Sequence, residues 1–137
     1  VILHDLGMAF LPAEMLHGSG SLQALDIERL QSHPQSTYQL LHPMQRWSVA
    51  AQGVLQHHER VDGNGYPAKL VGDQISSTAK ILSIVDTFEA RTHERAHSHM
   101  TKRPFIRAIL EINSCAGSQF DPYWVDVFNQ VARAMRT

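Results

Sequence analysis

The chain has 137 residues, 43% of them hydrophobic, and a formal charge of −1 with histidine neutral. That length and hydrophobic share suit one ordinary domain with a real core, and the charge argues against the broad basic footprint of a nucleic-acid binder. Cys115 is the single cysteine, so an intrachain disulfide is ruled out and a reducing, cytoplasmic setting is the simplest expectation.

No apolar run approaches the roughly 18 residues of a membrane span, and the N-terminus lacks the basic-then-apolar pattern of a secretory signal. The sequence opens at Val1, without Met, inside what reads as a helix, so it is expected to be a fragment of a longer protein.

Val1 to Leu6 reads as the end of an apolar helix, with Gly7 as its left-handed cap. His4-Asp5 is then a polar pair among Val1, Ile2, Leu3 and Leu6. It either reaches water at the helix end or is buried and paired, because an unpaired buried charge is costly. Met8 to Leu25 is loop-rich. Pro12 can open a single helical turn, His17 reads as solvated, and Gly18 to Ser21 is a flexible turn.

Asp26 reads as the N-cap of a helix running to His33, where Pro34 breaks or restarts the pattern. His33 thus sits at a joint, able to aim away from the packing stripe. His42 reads as a helix-terminal residue favoured by the dipole rather than as a ligand. Trp47 to Gln56 is the next helix, and it delivers the adjacent histidines His57 and His58. Neighbours on a helix point about 100° apart, so both reach one point most easily at a helix end.

After them come Glu59 and a turn, Asp62-Gly63-Asn64-Gly65, closed by Tyr66-Pro67. Gly63 and Gly65 are each able to take positive φ. Taken alone, that turn is either an ordinary surface turn or a place where a ligand's backbone or phosphate comes close.

Ser77 or Thr78 is expected to cap a helix reaching about Arg91. Its residues Ile81, Leu82, Ile84, Val85 and Phe88 cover enough of the circumference to bury most of it. Asp86 lies in the middle of that run and must be paired, hydrogen-bonded or coordinating a metal. A helix opened by Pro104 and another opened by Asp121-Pro122 complete an almost wholly helical domain, since no period-2 alternation stands out.

Nine histidines is an unusual number for this length. Most read as surface or packing residues, but His4, Asp5, His33, His57, His58 and Asp86 all fall at helix ends, at joints or as polar intruders. Imidazole and carboxylate ligands without thiolate suit iron, manganese, zinc or nickel. Six such ligands are too many for one four-coordinate ion and about right for two, with Asp5 as the bridge. Two ions roughly 3.5–4 Å apart form a phosphohydrolase site.

The order His4-Asp5, His33, His57-His58, Asp86 on helices resembles the HD phosphohydrolase superfamily. His57-His58-Glu59-x-x-Asp62-Gly63-x-Gly65-Tyr66-Pro67 resembles the signature of its HD-GYP subfamily. The resemblance continues through Leu70-x-Gly72, Ile81 to Ala90, Arg95 and Phe120-Asp121-Pro122. It implies an all-α, HD-domain-like helical bundle with a glycine-rich GYP loop, residues 1–137 forming one domain without its first helix or helices.

It also implies a bacterial, cytoplasmic phosphodiesterase that hydrolyses cyclic di-GMP to pGpG or GMP with two divalent transition metal ions, iron or manganese before zinc or nickel. His4 and His33 would ligate, Asp5 would bridge and be the catalytic carboxylate, His57 and His58 would serve one ion, and Asp86 the other. Gly65, Tyr66, Pro67 and Arg95 would meet the substrate. An upstream sensor or receiver domain and a diguanylate cyclase domain are the implied partners.

The sequence also departs from the family pattern. Met8 stands where a phosphate-assisting lysine is usual, Ser76 where proline is, and Glu89 where aspartate is. Ala96-His97 replaces Pro-Tyr, and Ser98 a basic residue. These departures keep open a second reading, a catalytically weak binding or protein-interaction module in cyclic di-GMP signalling. A hydrolase acting on another nucleotide or phosphate ester is a third.

Overall fold

The computed structural model describes residues 2–17, 23–93 and 104–135. The Gly18–Ser21 turn, the side chain of His17 and the stretch that carries Arg95 lie outside them. The described residues are all-helical, with isolated bridges Asp62–Val71 and Ala116–Phe120 in place of strands. The α-helices are α1 (Ala13–His17), α2 (Ala24–Gln31), α3 (His33–Leu41), α4 (Ser48–Leu55), α5 (Ser77–His93), α6 (Pro104–Ser114) and α7 (Pro122–Ala134).

The helices pack in sequence, α3 on α4, α4 on α5, and α5 on α6 and α7. The central helix is α5. It gives Leu82 to a cluster with Leu41, Ala51 and Val54, and Ile84 to a second cluster with Ile112, Phe120 and Val125. Pro34 does restart the chain, separating α2 from α3. Asp121 caps α7, its carboxylate accepting from the Tyr123 N–H at 2.9 Å, with Pro122 at the first helical position.

Several local expectations are corrected. Asp26 is the third residue of α2, not its cap; its carboxylate reaches back to accept the Gln23 N–H at 3.1 Å. The hydroxyl that caps α5 belongs to Ser76, which accepts from the Ala79 N–H at 3.3 Å. α5 is less covered than its apolar circumference implies. Ile81 stays 41% exposed, because α5 and α7 leave an open groove between Ile81, Val85, Trp124 and Val131.

Gly7 does not end an α-helix. It lies buried in a 3-10 helix, Leu6–Phe10, that packs on α3, and its φ is not positive. What it supplies is the absence of a side chain. Its N–H donates to Thr37 Oγ1 at 2.8 Å, and a Cβ built there would lie 2.3 Å from the His33 carbonyl oxygen. The close approach brings His4-Asp5 against the start of α3. Gly7→Ala should therefore force the segment off α3 and cost about 2–3 kcal/mol, as overpacking at a rigid backbone contact does. Urea unfolding of the metal-free protein measures this, and an unchanged midpoint would contradict it.

A candidate metal centre

Four segments that are distant in sequence deliver the polar residues to one place. The turn before the Leu6–Phe10 helix carries His4 and Asp5, α3 begins with His33, α4 runs out into His57 and His58, and the middle of α5 carries Asp86. The candidate ligand atoms of Asp5, His33, His57 and His58 lie within 4.8 Å of one another, and so do those of His4, Asp5 and Asp86. Asp5 belongs to both groups.

Local hydrogen bonds fix how the imidazoles face. His33 Nδ1 meets the Leu30 carbonyl at 2.6 Å, and His57 Nδ1 meets the Val54 carbonyl at 2.5 Å. A carbonyl only accepts, so in each ring Nδ1 carries a proton and Nε2 is the nitrogen turned inward. Both Nε2 atoms are buried and make no hydrogen bond. Both nevertheless point at Asp5 Oδ1, at 3.2 Å and 3.6 Å.

Two imidazole nitrogens thus converge on one carboxylate oxygen. Two buried nitrogens without a hydrogen bond beside a carboxylate are where a cation would be bound, since buried polar atoms need partners. A protonated Nδ1 held by a backbone carbonyl, with Nε2 turned inward, is also how proteins orient histidine toward a metal. The residues present fit a metal ion. The second group is tied more directly, with His4 Nε2 2.9 Å from Asp86 Oδ1 and 3.2 Å from Asp5 Oδ2.

Electrostatics agree. Burial opposes the charge of Asp5, but the imidazoles of His33, His4 and His57 outweigh it and hold the carboxyl far below its usual range. The hydrogen bond from His4 holds Asp86 low as well, against burial. His58 is pushed down to about 3 by burial first and by His57 and His33 next. The cluster therefore has ionised carboxylates and a neutral His58 at physiological pH, the states that bind metal.

Above His57, His58 and Asp86 opens a cavity of about 390 Å³, also lined by Gln31, Glu59, Arg60, Asn64, Gly65, Tyr66, Ser83, Thr87 and Gln119. Tyr66 stacks on His58, ring centroids 4.8 Å apart. Its phenol, raised to about 12 by burial and then by Asp5 and Asp86, stays protonated and can donate. Pro67, joined to Tyr66 by a cis peptide bond, is exposed.

Gly63 takes positive φ as expected, but Gly65 does not. Gly65 is glycine because a Cβ there would fall 2.4 Å from Arg60 N and 2.6 Å from the His58 carbonyl oxygen. Arg95 lies outside the described residues. Ser83 and Thr87 had not been singled out, although they share with Asp86 one face of α5, at spacings of three and one residues. Arg60 and Gln119 were missed too, and only tertiary contact joins them: Arg60 forks onto Asp62 at 2.7 and 3.1 Å and reaches Gln119 Oε1 at 3.4 Å.

The HD domain family model matches residues 1–123. The fold and the clustered histidines and aspartates belong to that class, and the chain is a member of the HD domain family. Among curated proteins it is similar to the cyclic di-GMP phosphodiesterase response regulator RpfG of Xanthomonas campestris, 35% identical over 126 residues, 90% of this chain and 33% of the relative. It is also similar to 3'3'-cGAMP-specific phosphodiesterase 2 of Vibrio cholerae, 32% identical over 127 residues, 91% of this chain and 24% of the relative. A cyclic di-GMP phosphodiesterase of Thermotoga maritima is 30% identical over 128 residues, 92% of this chain and 34% of the relative. The chain thus spans about a quarter to a third of the length of these relatives. Among the described residues, no helix is long and apolar enough to cross a membrane.

The neutral, half-buried His58 sets a pH dependence for the metal-free protein. Between the unfolded imidazole value of 6.5 and the folded value of about 3, the unfolded chain binds a proton that the folded chain does not. Stability must therefore fall as pH is lowered through that window, by up to about 1.4 kcal/mol per pH unit for one such proton. Asp5 and Asp86, whose folded pKa values are depressed, add their loss only near and below the ordinary value of 3.8. Urea midpoints of EDTA-treated protein should drop from pH 7 to pH 5, and His58→Gln should flatten that drop. Equal slopes in the two proteins would contradict a neutral His58.

Proposed function

We propose that this chain is the phosphodiesterase domain of a longer bacterial, cytoplasmic protein, and that it hydrolyses cyclic di-GMP to pGpG or GMP with two divalent metal ions. The observation that carries the reading is the pair of ligand groups sharing Asp5 beneath a polar cavity. The similarity to curated cyclic di-GMP phosphodiesterases supports the substrate.

In this reading His33, His57, His58 and Asp5 hold one ion, His4, Asp5 and Asp86 the other, and Asp5 bridges. Imidazole and carboxylate donors suit iron, manganese, zinc or nickel, and the family resemblance puts iron or manganese first. When bound, such a pair supplies Lewis-acid polarisation of a phosphodiester and a water nucleophile at neutral pH.

The protein's own groups do the positioning. Tyr66 offers a flat face and a phenolic donor at the mouth. Ser83 and Thr87 offer hydroxyls beside Asp86, while Gln31, Asn64 and Gln119 offer amides that can pair with base edges. Gly65 and Pro67 shape the loop that presents Tyr66, and Arg95 is assigned to the phosphate. An upstream sensor or receiver domain would set the activity, and a diguanylate cyclase domain is the proposed protein partner.

A second reading has its own observation. Met8, in the Leu6–Phe10 helix beside the site, offers no charge where a lysine would assist the phosphate. That favours a slow enzyme or a binding module over a fast one. Chromatography of cyclic di-GMP incubated with the manganese- or iron-loaded protein under reducing conditions tests turnover. The absence of pGpG and GMP would favour the module, and 3'3'-cGAMP run in parallel tests the other substrate that relatives are named for.

Asp5→Ala should release both metals and lower turnover by about 10³-fold or more, about 4 kcal/mol. Asp86→Ala should release one metal and leave the other. Unchanged metal content by elemental analysis in both variants would overturn the site. Met8→Lys should raise kcat by roughly 10²–10³ if a positioned charge is what the site lacks, and an unchanged kcat would show that it is not.

A further inference from the structure

Glu59 follows the histidine pair, is 4% exposed, and belongs to neither metal-type group. Its carboxylate spans the base of the loop beyond Tyr66: Oε1 accepts the Ala68 N–H at 2.6 Å and Oε2 the Leu70 N–H at 2.9 Å. Between those two residues lies Lys69, with φ of 54°. That left-handed conformation is uncommon for a residue with a side chain and persists only where its surroundings impose it. Both amides that flank the strained residue are held by the one carboxylate.

The other end of the loop is tied to the histidines. The Tyr66 N–H donates to the His58 carbonyl at 3.2 Å, and Gly65 lies against the backbone of residues 58 to 60. Tyr66 is fixed between these two anchors, its ring stacked on His58. A buried carboxylate needs hydrogen-bond partners, and two backbone donors suit the charged form well. Glutamine, with one carbonyl oxygen, can satisfy only one of them.

We propose that Glu59 is a positioning residue for substrate binding, clamping the turn around Lys69 so that Tyr66 is held against His58 as a fixed wall for the nucleotide. This rests on the cyclic di-GMP reading above. Because Glu59 acts through Tyr66, removing it should weaken substrate binding and leave the metals in place.

The test uses the full chain loaded with manganese, as wild type, Glu59→Gln, Tyr66→Ala and the double variant. Glu59→Gln should raise the KM for cyclic di-GMP about tenfold by loosening an ordered wall. Its kcat should stay within about twofold and its metal content should not change. The double variant should be no worse than Tyr66→Ala, since residues that act through one another are not additive. Amide exchange should speed up at Tyr66, Ala68, Lys69 and Leu70. Additive KM effects, an unchanged KM, or loss of metal in Glu59→Gln would each overturn the proposal.

If the wild type neither binds nor hydrolyses cyclic di-GMP, the proposed function fails. Amide exchange then decides the clamp alone: faster exchange at Ala68 and Leu70 in Glu59→Gln supports it, and wild-type protection overturns it. Should Glu59→Gln not fold, the same comparisons are made with Lys69→Gly present throughout, since glycine adopts the left-handed backbone without strain.

Discussion

Everything at this site depends on two imidazole Nε2 atoms being turned toward one carboxylate. His33 and His57 are buried, their Nδ1 protons are committed to carbonyls, and their Nε2 atoms converge on Asp5. The carbonyls that commit them come from the last turns of α2 and α4, where a helix leaves its C=O groups without helical donors. At Leu30 the reason is visible in the sequence: the residue four places on is Pro34, which has no N–H to give. The proline that restarts the helix thus frees the carbonyl that sets the tautomer of His33. Backbone geometry, more than side-chain choice, decides that these histidines turn Nε2 inward.

That explains why so much of the centre is legible in the sequence. His4-Asp5, His33, His57-His58 and Asp86 stand out because they break apolar runs or sit at helix punctuation, and burial makes such residues conspicuous. The helices were readable from their periodicity and from Pro34, Pro104 and Asp121-Pro122.

What was not readable depends on contacts between distant segments. Gly7 looks like a helix cap, yet its glycine is required by the His33 carbonyl and Thr37 on another helix. Gly65 looks like a positive-φ turn residue and is instead a residue with no room for a side chain. Lys80 lies in an apolar stretch of α5, and no local pattern says that it is buried to meet Asp121 at 2.8 Å. Glu59 reads as the carboxylate after two histidines, and only the folded loop places Ala68 and Leu70 over it.

The distribution of charge in the cavity bears on how a phosphodiester would be handled there. Arg60 is the cation among the lining residues, and its guanidinium is already forked onto Asp62. The remaining wall is hydroxyl, amide and aromatic, which suits nucleobases and sugars better than a doubly esterified phosphate. With Met8 in place of a lysine, the positive charge that the proposed chemistry needs would come from ions held by the histidine and aspartate groups. Metal loss and loss of activity should then track each other more tightly than in a site where lysine shares the work.

α5 ties this chemistry to the stability of the fold. Leu82 and Ile84 anchor it in two separate clusters, while Ser83, Asp86 and Thr87 line the cavity. Residues only one position apart on the helix therefore serve opposite needs. A rotation of α5 large enough to move Asp86 from His4 would drag Leu82 and Ile84 out of close-packed surroundings, which resist such movement. The distance between the two ligand groups is thereby set by hydrophobic packing on both sides of one helix. Asp86 can be both a polar intruder and a fixed point because Leu82 and Ile84, within the preceding turn, are buried in separate clusters.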